Sequence, residues 1–247
     1  MKTAIMNKLL LAMYLLLPAL AMANEGAALY HAPVDLTDQA SLQRGARTFV
    51  NYCLNCHSAN YMRYNRLQDI GLSEEQIKNN LLFTAEKVGA PMGVVMQGKD
   101  AKAWFGAAPP DLSVEARARG ADWLYSYLRG FYRDDTRPTG WNNIVYDKVA
   151  MPHVLWQLQG EQVLKAHDAV DAHGEKTETH TLEMAKPGTM TPVEYDAMIA
   201  DLVNYMVFMG EPAQTYRWRL GIIVLLFLGV LSVLAYYLKK EFWKNIH

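Results

Sequence analysis

Apolar residues recur at helical spacing in several separate stretches of this 247-residue chain. Across residues 40–57, Leu42, Ala46, Phe49 and Cys53 lie three or four positions apart, which predicts one amphipathic helix. Residues 121–132 are rich in aromatic side chains and predict a second helix. The pattern favours a mainly α fold.

Two further helices are indicated by capping boxes, in which a hydroxyl residue precedes Glu or Gln by three positions. Ser73 begins a short helix in this way. Thr191 begins a longer one with Pro192 at its first position, where proline is well tolerated. This helix should run to about Met209 and end at Gly210.

Long connections separate these helices. Residues 88–110 and 133–152 contain frequent Gly and Pro and are predicted to be loops. Residues 154–186 include alternating segments that could pair as a small hairpin.

Two apolar runs lie near the ends of the chain. Residues 1–23 have a short basic start, an apolar run and a small-x-small cleavage site, as in a secretory signal peptide. Leu220–Leu238 contains nineteen residues without a charge, which is long enough to cross a bilayer. Trp218, Tyr236 and Trp243 lie near its ends, as in an interfacial aromatic belt.

These runs divide the chain into four parts. We expect a signal peptide at 1–23, an exported domain at 24–216, a transmembrane anchor at 217–240 and a tail at 241–247. Export of the domain places it in the periplasm, the tail in the cytoplasm and the anchor in the inner membrane lipid. The net charge of −1 gives no support to a nucleic-acid partner.

The strongest chemical signal is Cys53-Leu54-Asn55-Cys56-His57, which has the C-x-x-C-H form of a haem c attachment site. Two thiols at this spacing can form thioethers with the two vinyl groups of one haem. The adjacent His57 then becomes the proximal iron ligand. The motif predicts one covalently bound haem c.

Two other interpretations of the cysteines are weaker. A thioredoxin-like motif is expected in a βαβ setting, whereas this pair lies in a helical pattern. A zinc site normally needs a second ligand pair, and the chain contains only two cysteines.

The second axial ligand should lie on a loop between the motif and the last soluble helix. Met151 is well placed, since the following Pro152 biases it toward extended backbone. A buried core role is the commoner use of methionine, and His153 is a rival ligand. The other candidates are Met92, Met96, Met184 and Met190. The residues alone leave this choice open.

Several sequence blocks resemble the cytochrome c1 family, the haem c subunits of ubiquinol–cytochrome c reductase (cytochrome bc1) complexes, in their bacterial form. The blocks are Arg44-Gly45-Ala46 with Tyr61, Tyr64 and Arg66, Pro109-Pro110-Asp111-Leu112-Ser113 with Arg117-Ala118-Arg119, Asp122–Leu128, Ala150-Met151-Pro152, and Gly210-Glu211-Pro212 before the anchor. They cover nearly the whole mature chain in order.

The resemblance implies a class I cytochrome c-like haem domain with long loops and a small hairpin, and one C-terminal transmembrane helix. It implies Met151 as the second axial ligand, Pro110 packed against the haem, and Arg119 paired with a haem propionate. Single electrons would pass from a Rieske iron–sulfur protein to a soluble cytochrome c, beside cytochrome b. The subunit would have no turnover alone. The connection between the haem motif and Pro109 is shorter than in mitochondrial members of the family.

Two functional alternatives remain. The first is a free, membrane-anchored c-type cytochrome that shuttles electrons to a terminal oxidase or reductase. The second is a haem sensor or peroxidase, which would need an open distal site.

The surface of residues 160–201 carries nine acidic residues against three lysines. It could steer a basic electron acceptor, or it could be an ordinary solvated surface.

Overall fold

The computed structural model describes residues 29–170 and 176–244. Its α-helices are α1 (Gln39–Thr48), α2 (Glu74–Asn80), α3 (Gly98–Phe105), α4 (Glu115–Arg119), α5 (Ala121–Arg129), α6 (Trp156–Gln159), α7 (Pro192–Gly210) and α8 (Gln214–Phe242). A π-helical turn, Phe49–Cys53, continues α1, and a 3₁₀ helix spans Tyr64–Ile70. The strands are β1 (Ala59–Arg63), β2 (Pro91–Met92), β3 (Phe131–Arg133), β4 (Trp141–Asn143), β5 (Gly160–Val170) and β6 (Lys176–Pro187).

The centre of the domain is the crossing of α1 and α7. A Cβ atom added to Gly45 would lie 2.0 Å from the Asp201 carbonyl oxygen and 2.7 Å from Tyr205 Cβ, so only glycine permits this approach. Beside it, the Arg44 guanidinium donates two hydrogen bonds, of 2.6 and 2.9 Å, to the Asp201 carboxylate. Phe49 and Tyr205 then pack with their ring centroids 5.6 Å apart. The helix that carries the haem motif is therefore fixed against α7.

The start of the described chain is attached to the first two turns of α5. The backbone amide of Ala32 donates to the Asp122 carboxylate at 2.8 Å, and that of Tyr30 donates to Ser126 Oγ at 2.7 Å. These contacts explain why an acid and a serine occur four residues apart on an otherwise aromatic helix.

Two sheets complete the fold. β1 and β2 form a short antiparallel pair, and the larger sheet has the order β4-β3-β5-β6. Its β5–β6 hairpin extends over eleven residue pairs and is longer than the small hairpin the sequence predicts.

Helix α8 is exposed throughout its apolar length. Among the described residues it is the one helix that is long and apolar enough to span a membrane, over Tyr216–Phe242. Its most apolar 18-residue stretch has a mean hydropathy of 2.5, and none of that stretch is buried. An apolar helix that buries nothing in its own domain needs a lipid or protein environment. The described residues therefore contain one candidate membrane-spanning helix, at the predicted place.

The helix predictions are confirmed for α1, α2, α5 and α7, and both capping boxes form. The prediction of a continuous loop across residues 88–110 is wrong, because this stretch contains β2 and α3. Its glycines flank the helix instead of interrupting it: Gly98 begins α3, and Gly106 ends it with a φ of 79°. The loop predicted for 133–152 contains the short strand β4. The signal peptide lies outside the described residues.

Candidate haem site

The two cysteines lie where α1 ends. The π-helical turn leads to Cys53, whose carbonyl oxygen accepts hydrogen bonds from the amides of Cys56 at 3.1 Å and His57 at 2.9 Å. This tight turn brings both cysteines and the histidine to one end of the helix. Both thiols are free and half-buried. π-helical turns occur frequently at functional sites.

Burial keeps the cysteines protonated in the unmodified chain. It raises the pKa of the Cys53 thiol to about 12, with a further contribution from neighbouring Cys56. It also raises the pKa of Cys56. Because only a thiolate is strongly reactive, neither residue has the low-pKa character of a redox-active C-x-x-C pair.

The His57 imidazole is oriented by the backbone of Pro110, whose carbonyl oxygen lies 2.8 Å from Nδ1. A carbonyl can only accept, so Nδ1 carries the proton and the lone pair of Nε2 remains free for a metal. Burial lowers the pKa of His57, although the Pro110 hydrogen bond opposes this shift. The ring is neutral at pH 7, as a metal ligand must be. The sequence does not reveal this role of the Pro110 carbonyl.

Asp111 fastens the Pro110 segment to the haem motif. Its carboxylate accepts hydrogen bonds from Ser58 Oγ at 2.8 Å, the Asn60 amide at 2.9 Å and the Ser113 amide at 2.8 Å. Burial would raise the pKa of Asp111, but these donors outweigh it and hold the pKa below its usual value. The Leu112 amide adds a bond of 2.8 Å to the Ser58 carbonyl. The segment that follows Pro110 is thus fixed to the residues that follow the haem motif.

Met151 is half-buried and packs against the core. Its neighbours Val149 and His153 are buried, at 4% and 2% exposure, and hold the loop on either side. The Tyr127 hydroxyl on α5 donates a hydrogen bond to Met151 Sδ at 3.4 Å. Sequence reasoning missed Tyr127, since an aromatic residue on a helix face gives no specific signal.

Two adjacent asparagines support the loop that leads to Met151. Buried Asn142 donates to Asp134 and Asp147 and accepts from the amide of Lys148 at 2.8 Å. Lys148 has a φ of 59°, a conformation that non-glycine residues rarely adopt. Asn143 Nδ2 donates to the Tyr127 carbonyl at 2.8 Å and so connects this loop to α5. The sequence shows the Asn pair only as a loop signal.

The rival axial ligands occupy other settings. His153 is 2% exposed and stacks on Phe131, with ring centroids 4.8 Å apart, and burial lowers its pKa to about 4. Met92 is fully buried and accepts a hydrogen bond from the Tyr205 hydroxyl at 3.6 Å, which makes it a core residue. Met184 lies on the outer strand of the hairpin and is 41% exposed. Met96 and Met190 are half-buried. These placements favour Met151 over His153, Met92 and Met184.

Arg119 lies at the end of α4, where its guanidinium stacks over the Trp123 ring at 4.4 Å. Its Nε donates to Glu115 at 2.8 Å, so its charge is already partly balanced. Trp123 stacks in turn on Tyr127, at 4.8 Å between centroids, which relates Arg119 to the Met151 contact. The pairing of Arg119 with a haem propionate stays a prediction. The packing of the exposed Pro110 ring against the haem also stays a prediction.

Several acidic side chains of residues 160–201 have partners within the domain. Glu161 pairs with Arg133 and Lys186, and Glu183 pairs with Lys165. Glu194 caps α7, and the remaining two pairs are Asp196 with Arg129 and Asp201 with Arg44. The side chains of Asp168, Asp171, Glu175 and Glu178 lie outside the description. These ion pairs reduce the charge available for steering.

The donors suit haem c. Two thiols at one helix end, an imidazole with a free Nε2 and a thioether on a braced loop form the set that haem c requires. Together with the exposed apolar helix α8, they define a membrane-anchored c-type cytochrome.

The comparisons with known proteins specify the family. The Cytochrome C1 family model matches residues 30–91 and 95–246, and the chain belongs to this family. The chain is 49% identical to cytochrome c1 of Allochromatium vinosum, covering 98% of this chain and all of the relative. It is 54% identical to a Nitrosomonas europaea protein named ammonia monooxygenase gamma subunit, covering 98% and 99% of the two chains. Cytochrome c1 of Rhodospirillum rubrum is 30% identical, with 99% of both chains covered.

Family membership confirms the class I cytochrome c-like fold and the haem c cofactor expected from the sequence. It also confirms the electron-transfer role in a cytochrome bc1 complex, in which cytochrome b and a Rieske iron–sulfur protein are the partner subunits. An open-site sensor or peroxidase is therefore not supported.

Proposed function

We propose that this chain carries one haem c, attached through Cys53 and Cys56 with His57 and Met151 as axial ligands, and passes single electrons from the Rieske protein to a soluble cytochrome c. The observation that carries this proposal is the 2.8 Å hydrogen bond between His57 Nδ1 and the Pro110 carbonyl. It fixes the tautomer that metal ligation needs and joins the two most informative sequence blocks.

Haem c, when bound, supplies one-electron transfer between Fe(III) and Fe(II). The chain's own residues set the conditions for it. Burial favours the neutral form of His57, and the Pro110 carbonyl orients its ring. Met151 offers a soft thioether that favours the reduced iron and a high potential. Asp111 and Asn142 keep both ligand segments in place, so little rearrangement should accompany the change of oxidation state.

Arg119 is proposed as the partner of a haem propionate. Its side chain is 43% exposed, and its guanidinium needs only to exchange Glu115 for another carboxylate. Pro110 is proposed to cover the proximal side of the haem with its ring, which would exclude water there.

The proposed topology follows from the two ends of the chain. With residues 1–23 acting as an export signal, the haem domain at 24–216 lies in the periplasm. Helix α8 then crosses the inner membrane lipid, with the tail in the cytoplasm. A protease added to intact spheroplasts should degrade the haem domain and leave a C-terminal tag protected. A protected haem domain would contradict this orientation.

Purification of the tagged full-length chain from its own membranes in mild detergent tests the assembly. We expect b-type haem, a Rieske cluster and quinol–cytochrome c reductase activity to co-purify. Isolation of the chain with haem c alone would instead support the free electron shuttle.

The similarity to the Nitrosomonas europaea protein provides a second outcome. Co-purification with an ammonia-oxidising activity, without b-type haem, would favour association with a monooxygenase. The same preparation therefore distinguishes all three assemblies.

A further inference from the structure

The Tyr127 hydroxyl donates a hydrogen bond to the proposed Met151 ligand, and the family assignment gives this contact no role. Tyr127 is 9% exposed, and its hydroxyl lies 3.4 Å from Met151 Sδ. A buried hydroxyl requires a hydrogen-bond partner, and a thioether sulfur is only a weak acceptor. A buried hydroxyl paired with so weak an acceptor gains little stability from the contact, which points to a role at the sulfur.

Two aromatic neighbours and one backbone hydrogen bond hold Tyr127 in place. It stacks on Trp123 at 4.8 Å with an interplanar angle of 11°, and it meets the edge of Phe131 at 5.1 Å and 67°. Its backbone carbonyl accepts from Asn143 Nδ2 at 2.8 Å. The hydroxyl is therefore directed at the sulfur by the packing of α5 and the Met151 loop, and its orientation does not depend on the sulfur alone.

We propose that Tyr127 is a positioning residue that, by donating to Met151 Sδ, weakens the sulfur's donation to ferric iron and raises the reduction potential. The inference rests on the proposed role of Met151 as axial ligand. A thioether sulfur has two lone pairs, so one can bind iron while the other accepts the hydroxyl proton. Fe(III) depends more than Fe(II) on electron donation from its ligands, so withdrawal of density favours the reduced state.

The test is Tyr127→Phe in the full-length protein purified from membranes in mild detergent. This change removes one oxygen and leaves the ring packing intact. We expect the Fe(II):Fe(III) ratio at a fixed potential to fall by about three- to tenfold, the effect of one hydrogen bond. That corresponds to a fall of about 30–60 mV, at 59 mV per tenfold change.

A second readout separates positioning from simple packing. Added imidazole competes with the methionine for ferric iron. Loss of the hydrogen bond should strengthen the sulfur–iron bond, so imidazole should bind Tyr127→Phe about three- to tenfold more weakly than wild type. If the hydroxyl only fills space, its removal would loosen Met151 and imidazole would bind more tightly.

Tyr125→Phe is the matched control. Tyr125 lies on the same helix, is 8% exposed and contacts the Arg129 guanidinium, at 4.7 Å from the ring centroid. The control should keep the wild-type potential and imidazole affinity. An unchanged or raised potential in Tyr127→Phe, or tighter imidazole binding, would overturn the proposal.

Met151→Leu, measured in parallel, separates this inference from the proposed ligand. If Met151→Leu lowers the potential and Tyr127→Phe does not, Tyr127 has no tuning role and the ligand assignment stands. If neither changes the potential, Met151 is not the ligand, and both the assignment and the inference fail.

Discussion

The close approach of α1 and α7 depends on the absence of a side chain at residue 45. In Gly45→Ala, the new methyl group would lie 2.0 Å from the Asp201 carbonyl oxygen, in the backbone of α7. Ordinary contact begins at 3.4 Å, so α1 and α7 must separate by about 1.4 Å. A backbone oxygen inside a helix cannot rotate away as a flexible side chain could.

The energetic cost follows from this geometry. Overpacking a well-packed core costs about 1–3 kcal/mol, and an obstacle in the backbone places Gly45→Ala at the upper end, about 3 kcal/mol. Alanine recovers about 1 kcal/mol, since glycine inside a helix is unfavourable by that amount. The expected net loss is about 2 kcal/mol. For a chain of this size, it should lower the melting temperature by about 4–8 °C.

Thermal unfolding followed by far-ultraviolet circular dichroism measures this effect, and the haem content per chain shows whether the motif is still loaded. Gly98→Ala is the control, since Gly98 also lies in a helix, at the start of α3, but an added Cβ would have its nearest neighbour, Ala108 Cβ, 4.0 Å away. It should unfold at or slightly above the wild-type temperature. If Gly45→Ala melts as wild type does while Gly98→Ala behaves as expected, the helices have room and the reasoning is refuted.

Three further predictions concern the site. The Met151→Leu variant should keep its haem attached through Cys53 and Cys56, and it should bind carbon monoxide when reduced. Its reduction potential should fall by more than about 59 mV, which is a tenfold shift in the Fe(II):Fe(III) ratio. A potentiometric titration with an unchanged midpoint would contradict the ligand assignment. The hydrogen bonds that hold the pKa of Asp111 below its usual 3.8 stabilise the fold while that carboxylate is ionised. The difference in free energy of unfolding between wild type and Asp111→Asn should therefore be largest above the pKa of Asp111 in the unfolded chain, and it should decrease from about pH 5 to pH 3. If urea unfolding gives a constant difference across that range, Asp111 does not titrate as proposed. Asn142→Ala removes hydrogen bonds to Asp134, Asp147 and Lys148, so the free energy of unfolding measured in urea should fall by about 2–3 kcal/mol. Imidazole should bind this variant more tightly, because Met151 is less firmly held. A loss below about 0.5 kcal/mol would mean that other contacts hold the loop.

Much of the fold was predictable because it follows local rules. The capping boxes at Ser73 and Thr191 need only residues three positions apart, and both form as predicted. Helix α3, which lies within residues 88–110, was missed because glycine marks both loops and helix ends. Only the backbone conformation distinguishes the two. Gly106 has the left-handed conformation that ends a helix.

The candidate site divides in the same way. The residues Cys53, Cys56 and His57 were readable from their spacing, and Met151 was singled out by its position before Pro152 and by family resemblance. The contacts that orient these residues could not be predicted from the sequence. The Pro110 carbonyl reaches His57 across 53 positions, and Tyr127 reaches Met151 across 24.

By itself, the sequence determined the cofactor type, the membrane-spanning helix and the main helices, because these depend on neighbouring residues and on the length of apolar runs. Only the tertiary structure decided which backbone oxygen orients His57, which hydroxyl meets Met151 and why residue 45 is glycine. Each of these depends on the distance between segments far apart in the chain, and that distance is set by the packing of the whole core.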